Sequence, residues 1–192
     1  MDARDRLLSL LAAQAEGWGF TEEKEGGWGP TFQRKVAYGI QSLEYAVQQR
    51  QNGCLVSVTG RMAFQVVHGG EPIELAFRSV SSRLGGPGPD RWPLSTKATE
   101  TKVHRIAAEI EASCTQVLLP FLNRVSTPQG LLTFMAEEYE PLMLVSPSLF
   151  LPFRRAALVC QTLLPPYEAA AALAQLCAAE HTFRARWEAR GT

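Results

Sequence analysis

Beyond a short opening helix, the chain changes its hydrophobic period once, near residue 99, and this switch constrains its architecture more than any other feature. Before it, apolar residues recur at every second position over several runs. After it, they recur at steps of three and four almost to the end. Strands gathered in one block and helices in the next do not build the alternating units of a doubly wound sheet, so the expected class is α+β.

The strand block reads as four runs. Phe32, Arg34, Val36 and Tyr38 alternate with Thr31, Gln33, Lys35 and Ala37, the pattern of a half-solvated strand. Leu43, Tyr45 and Val47 alternate with Ser42, Glu44, Ala46 and Gln48, and the run breaks at Asn52-Gly53, a pair suited to a tight hairpin. Val56, Val58, Met62, Phe64 and Val66 share one face of a long third strand, in which Gly60 is expected to mark a bulge. Ile73, Leu75 and Phe77 alternate with Glu74, Ala76 and Arg78 before the Gly85-Gly86-Pro87-Gly88-Pro89 loop. Short turns between consecutive strands predict a four-stranded, mostly antiparallel sheet packed by helices.

Leu7, Leu8, Leu11 and Ala15 form the stripe of the opening helix, which ends near Gly17 and Gly19. Val103, Ile106, Ala107, Ile110, Cys114, Val117, Leu118 and Phe121 define a helix expected to stop near Pro120. Thr127-Pro128 is an N-cap with proline in the first helical position. Further helices are expected through Ala156–Leu163 and from about Tyr167 to Arg190, giving an all-helical C-terminal part. Residues 1–140 are read as an α+β core and 141–192 as a helical extension packed on it; the apolar run Leu142 to Phe153 is either core or interface.

Composition narrows the function. The 19 basic and 19 acidic residues cancel, so no electrostatic footprint for a polyanion exists and a nucleic-acid partner is not expected. No uncharged stretch is long enough to span a bilayer, and the acidic N-terminus is no secretory signal, so a cytoplasmic protein without membrane association is expected. Cys54, Cys114, Cys160 and Cys177 lack paired spacing, and His68, His104 and His181 stand apart. No metal cage or disulfide framework is signalled, and the thiols read as packing residues. Proline and tryptophan interrupt the glycine clusters at 26–30 and 85–89, there is no GxSxG, and Glu137, Glu138 and Glu140 point in different directions on a helix; no catalytic residue or cofactor is assigned.

Three stretches, in order and spacing, resemble the bacterial domain-of-unknown-function family 4304. They are Gly19-Phe20 with Thr31-Phe32-Gln33-Arg34, then Ser82-Arg83-Leu84-Gly85 with Asp90-Arg91-Trp92, and Leu119-Pro120-Phe121-Leu122 leading into Ser126-Thr127. The resemblance spans about residues 5–140. It implies an α+β fold and an accessory role, with neutralisation of a bacterial toxin as an immunity protein one form of it, and it transfers no catalytic residues.

The favoured reading is a non-enzymatic module that binds another protein, a cognate toxin being one candidate. Trp28, Arg83 and Trp92 are its expected contact residues, because tryptophan and arginine dominate binding hot spots and these three lie in Gly/Pro-rich segments. The alternatives are an enzyme whose site draws His104, Glu111 and Cys114 from one helix and Arg34 from the sheet, and a nucleic-acid accessory protein.

Overall fold

A computed structural model describes residues 2–26, 29–68, 71–80, 92–137 and 151–190. Among them the chain is α+β, with an antiparallel sheet and C-terminal helices. Helix α1 spans Ala3–Gly17 and starts on Asp2, whose carboxylate accepts from the Asp5 N–H at 2.8 Å. Leu7, Leu11 and Ala15 form its buried stripe. It ends in a left-handed turn at Gly19, φ 79°, where Gly19 N–H donates to Glu16 O and Phe20 N–H to Ala15 O. This is the Schellman arrangement, which satisfies carbonyls that a helix end otherwise leaves open.

Among the described residues the sheet has six strands, where the sequence predicts four: β1 Thr21–Gly26, β2 Gly29–Val36, β3 Gly39–Arg50, β4 Gly53–His68, β5 Glu71–Val80 and β6 Trp92–Ser95. The order is β1-β2-β3-β4-β5, and β6 pairs with the first residues of β4, Gly53 opposite Ser95 and Val56 opposite Trp92. Strand β1 reads Thr-Glu-Glu-Lys-Glu-Gly and offers no apolar alternation; pairing with β2, Thr21 opposite Gln33, makes it a strand. Strand β6 is only four residues long and follows a glycine-rich stretch, so its alternation was too short to stand out.

One face of the sheet is buried. Leu43, Tyr45 and Val47 of β3 lie inward, and the β4 alternation runs unbroken from Cys54 through Val56, Val58, Gly60 and Met62. Gly60 therefore marks no bulge, which would have shifted that phase. Its role is close approach: a Cβ there would stand 2.6 Å from Leu118 Cδ1 and 3.2 Å from Leu122 Cδ1.

The helical run after the sheet continues past Pro120, against expectation. Helix α2, Glu100–Ser113, starts on Thr99 and passes into a π-helical turn, Cys114–Leu118, and then into α3, Leu119–Val125. Proline has no N–H to donate and its ring crowds the carbonyl four residues back, which should stop an α-helix. Widening the preceding turn, with Leu119 N–H reaching Cys114 O, lets the run proceed. Val103, Ile106, Ala107, Ile110, Cys114, Leu118, Leu122 and Val125 are all buried along it.

The chain divides into two compact units, Met1–Ala63 with Ala76–Asn123, and Phe64–Leu75 with Arg124–Thr192. In the second, helices α4 Pro128–Glu137, α5 Leu151–Leu163 and α6 Pro166–Arg190 pack on one another. Thr127 caps α4 as expected, its hydroxyl accepting from Gly130 N–H at 3.0 Å. Phe153 of α5 meets Phe183 of α6 at 5.8 Å between ring centroids. Of the apolar run Leu142 to Phe153, the part before Leu151 lies outside the described residues. No helix among the described residues is long and apolar enough to cross a membrane.

Gly60→Val should destabilise the protein by about 1–3 kcal/mol through overpacking against Leu118 and Leu122, read as a lower urea midpoint at constant slope. Gly17→Ala, with nothing within 4 Å of the added carbon, should instead stabilise by about 0.4–1 kcal/mol. Equal effects of the two substitutions would refute the close-packing account of Gly60.

Candidate functional site

Arg34 occupies the inward-facing parity of β2, two residues after the fully buried Phe32, and stands directly opposite Gln41 of β3. A polar pair on an apolar face must find partners there. Arg34 Nε donates to Gln41 Oε1 at 2.7 Å, one terminal nitrogen donates to Trp18 O at 3.0 Å, and the other to Asn123 Oδ1. Gln41, 0% exposed, donates from Nε2 to Leu122 O at 2.9 Å. The guanidinium carbon lies 4.5 Å from the Phe20 ring centroid, a cation–π contact.

Local structure explains each position. The Schellman turn at Gly19 buries Phe20 beneath Arg34 and aims the Trp18 carbonyl at it. The two-residue turn Ala37-Tyr38 sets Arg34 across from Gln41. The π-helical turn carries the chain past Pro120, so that Leu122 and Asn123 reach the same corner. Gly19-Phe20, Thr31-Phe32-Gln33-Arg34 and Leu119-Pro120-Phe121-Leu122, far apart in sequence, thus meet at the Arg34–Gln41 pair, Phe20 beneath Arg34 and Leu122 O accepting from Gln41.

Beside Arg34 lies an open hollow of about 490 Å³, lined by Trp18, Gly19, Thr21, Gln33, Arg34, Lys35 and Ile40. Burial lowers the Arg34 pKa from its ordinary value because removal of water disfavours the charge. Among the described residues no carboxylate pairs with Arg34 or with the exposed Lys35. Sequence reading connected Arg34 to the sheet but not to Gln41, Trp18 or Asn123.

The expected contact residues fare differently. Trp92 is not an exposed loop residue: it opens β6, sits opposite Val56 and is 1% exposed, its ring filling the inner face. Its indole nitrogen is buried without a hydrogen-bond partner among the described residues. Trp28 and Arg83 lie outside the described residues.

The dispersed constellation His104, Glu111, Cys114 and Arg34 divides between surface and interior. His104 is exposed and lies 3.8 Å from Glu100, one turn away on the same helix. Glu111 is exposed and accepts from Gln14 Nε2 at 3.4 Å, whereas Cys114 is fully buried. Burial, with a smaller contribution from the Glu111 charge, pushes the Cys114 thiol up to about 12. Burial likewise takes Cys160 up to about 11 and raises Cys54. The Cys160 thiol donates to Pro128 O at 3.8 Å. All four cysteines are free, Cys177 alone being exposed, and no cluster of His, Cys, Asp and Glu able to hold a metal occurs among the described residues.

Gln41→Leu should destabilise the chain by about 2–3 kcal/mol, because it strands the Arg34 Nε–H and the Leu122 carbonyl together; a change under about 0.5 kcal/mol in chemical unfolding would remove the network from its structural role. In native protein Cys177 should alkylate quickly, and Cys54, Cys114 and Cys160 only after unfolding, as peptide mass spectrometry of labelled protein would reveal. Unfolded thiols ionise from about pH 8.5, whereas Cys160 and Cys114 hold their protons to about 11 and about 12. The stability these two contribute is therefore complete below the lower value and is lost as pH rises toward the upper ones, which unfolding midpoints across that window would record. Comparison of the chain with family models, with curated proteins and with solved structures returned no match.

Proposed function

We propose that this chain is a non-enzymatic protein-binding module of the cytoplasm whose contact surface centres on the hollow beside Arg34. The observation that carries this reading is the composition of that hollow: an arginine and a lysine without carboxylate partners among the described residues, gathered with Trp18 and Ile40 around an open space of about 490 Å³. Aromatic, aliphatic and arginine side chains assembled at one solvent-facing depression are the makings of a binding hot spot. Arg34 is already held in place by three hydrogen bonds, so a partner meets it with little ordering left to do.

Kinship with family 4304 is part of the same proposal, supported by the meeting of two of its three quoted stretches at the Arg34–Gln41 pair, residues 82–91 of the other lying outside the described residues. Neutralisation of a bacterial toxin is the particular form that kinship suggests. The free thiols accord with a reducing compartment.

The test is co-purification of the tagged chain from its native host, wild type beside Lys35→Glu. Lys35 is exposed, so reversing its charge leaves the fold intact while altering the hollow. A stoichiometric protein partner should be retained by the wild type and bound at least about tenfold more weakly by the variant. A partner held equally by both would move the contact surface elsewhere, and a chain that co-purifies with no protein while turning over a small molecule would overturn the binding-module reading.

A further inference from the structure

The same hollow specifies the chemistry of what it takes, and we propose that it is a carboxylate site in which Arg34 is the principal donor. This rests on the protein-binding reading for the origin of the carboxylate, an Asp or Glu side chain or a chain terminus of the partner, but the site itself is argued from its own geometry. Of the Arg34 N–H groups, Nε donates to Gln41, one nitrogen donates to Trp18 O, and the other to Asn123. A guanidinium has two N–H groups on each terminal nitrogen, so one remains on each. All three acceptors already engaged are neutral. The side chain is thus fixed in position, and no carboxylate among the described residues pairs with its formal charge.

The backbone adds to this. Strand β1 begins opposite Gln33, whereas β2 continues to Val36 against β3. From Arg34 onward β2 therefore has a ladder neighbour on one side and none from β1 on the other. Thr21 Oγ1 donates to Gln33 O at 3.2 Å, so the peptide groups of Gln33 face β1. Those of Lys35, two residues on in an alternating strand, face the same side, where the β1 ladder has ended. The Lys35 main-chain N–H thereby faces the open edge of β2, and Lys35 is itself among the residues that line the hollow with Arg34.

Charge balance selects a monoanion. The carbonyl end of α1 at Trp18 brings roughly half a negative charge to Arg34, leaving the hollow modestly positive through Arg34 and Lys35. A carboxylate matches the planar, forked donor and the charge, whereas a phosphate dianion asks for more cations than the hollow supplies. Trp18 and Ile40 give apolar walls for the methylene groups behind the carboxylate.

The test uses the full chain with ¹⁵N label, following the Arg34 Nε–H resonance at constant ionic strength. The probes are acetate, a blocked tripeptide with a central glutamate, the same peptide with glutamine, and inorganic phosphate. The glutamate peptide and acetate should shift the Arg34 resonance saturably, the glutamine peptide should not, and Lys35→Gln should weaken the glutamate peptide about threefold to tenfold. A resonance unmoved by both acetate and the glutamate peptide in folded protein overturns the site. Equal binding of the glutamine peptide overturns the role of charge, and equal binding of phosphate overturns the assignment to carboxylate. A response to acetate but not to the glutamate peptide upholds the carboxylate site and counts instead against the protein-binding reading.

Discussion

Two helices end over the same corner of the sheet, and both ends present backbone carbonyls that nothing within the helices can satisfy. Trp18 O closes α1 and Leu122 O lies in the last turn of α3. Water cannot serve fully, because Leu122 and the adjoining sheet face are buried. The donors come from one cross-strand pair: Arg34 to Trp18 O and Gln41 to Leu122 O, with Arg34 Nε bonded to Gln41 between them. A cation at the end of α1 also lies favourably in the helix dipole. Leucine at both positions would bury well and leave two helix ends unsatisfied, which is why polar residues stand on an otherwise apolar face.

The neighbouring core shows the opposite treatment of reactive groups. Cys114 and Tyr45 are both fully buried and held protonated by burial, the Tyr45 hydroxyl having no hydrogen-bond partner among the described residues. Their chemistry is suppressed for the sake of packing. Arg34, by contrast, keeps its charge, because its acceptors replace the water it loses. The contrast locates recognition at the edge of the hydrophobic interior, where a charge can be both anchored and reached.

Much of this was legible in the chain. The change of period placed strands before helices, the alternation of Val56, Val58, Met62, Phe64 and Val66 matched the buried face of β4, and Thr127-Pro128 opened α4. What escaped did so for physical reasons. Strand β1 carries charges and owes its state to pairing, which local sequence does not encode. Pro120 reads as a stop because a π-helical turn is a tertiary accommodation, invisible in propensities. Trp92 follows a glycine-rich segment whose composition reads as loop, although Trp92 and Leu94 alternate with Pro93 and Ser95. The Arg34–Gln41 pair needed the turn at Ala37-Tyr38 to be located first; with it, both residues share the parity of Phe32 and Leu43, and a polar pair on that parity is the signal that was missed.

The pairing of β6 with β4 has a kinetic consequence. Strands β2 and β3 meet across a two-residue turn, a contact that closes with little loss of chain entropy. Ser95 reaches Gly53 only after the whole β4–β5 excursion has been folded back, so its loop is far longer. Docking of β6 thus falls late in the order of events, after the hairpins supply the edge it joins. Trp92, buried in the finished fold, loses its contact with water as β6 docks, and its fluorescence would report that closing step. Its burial times when the core becomes sealed, as distinct from when the sheet first forms.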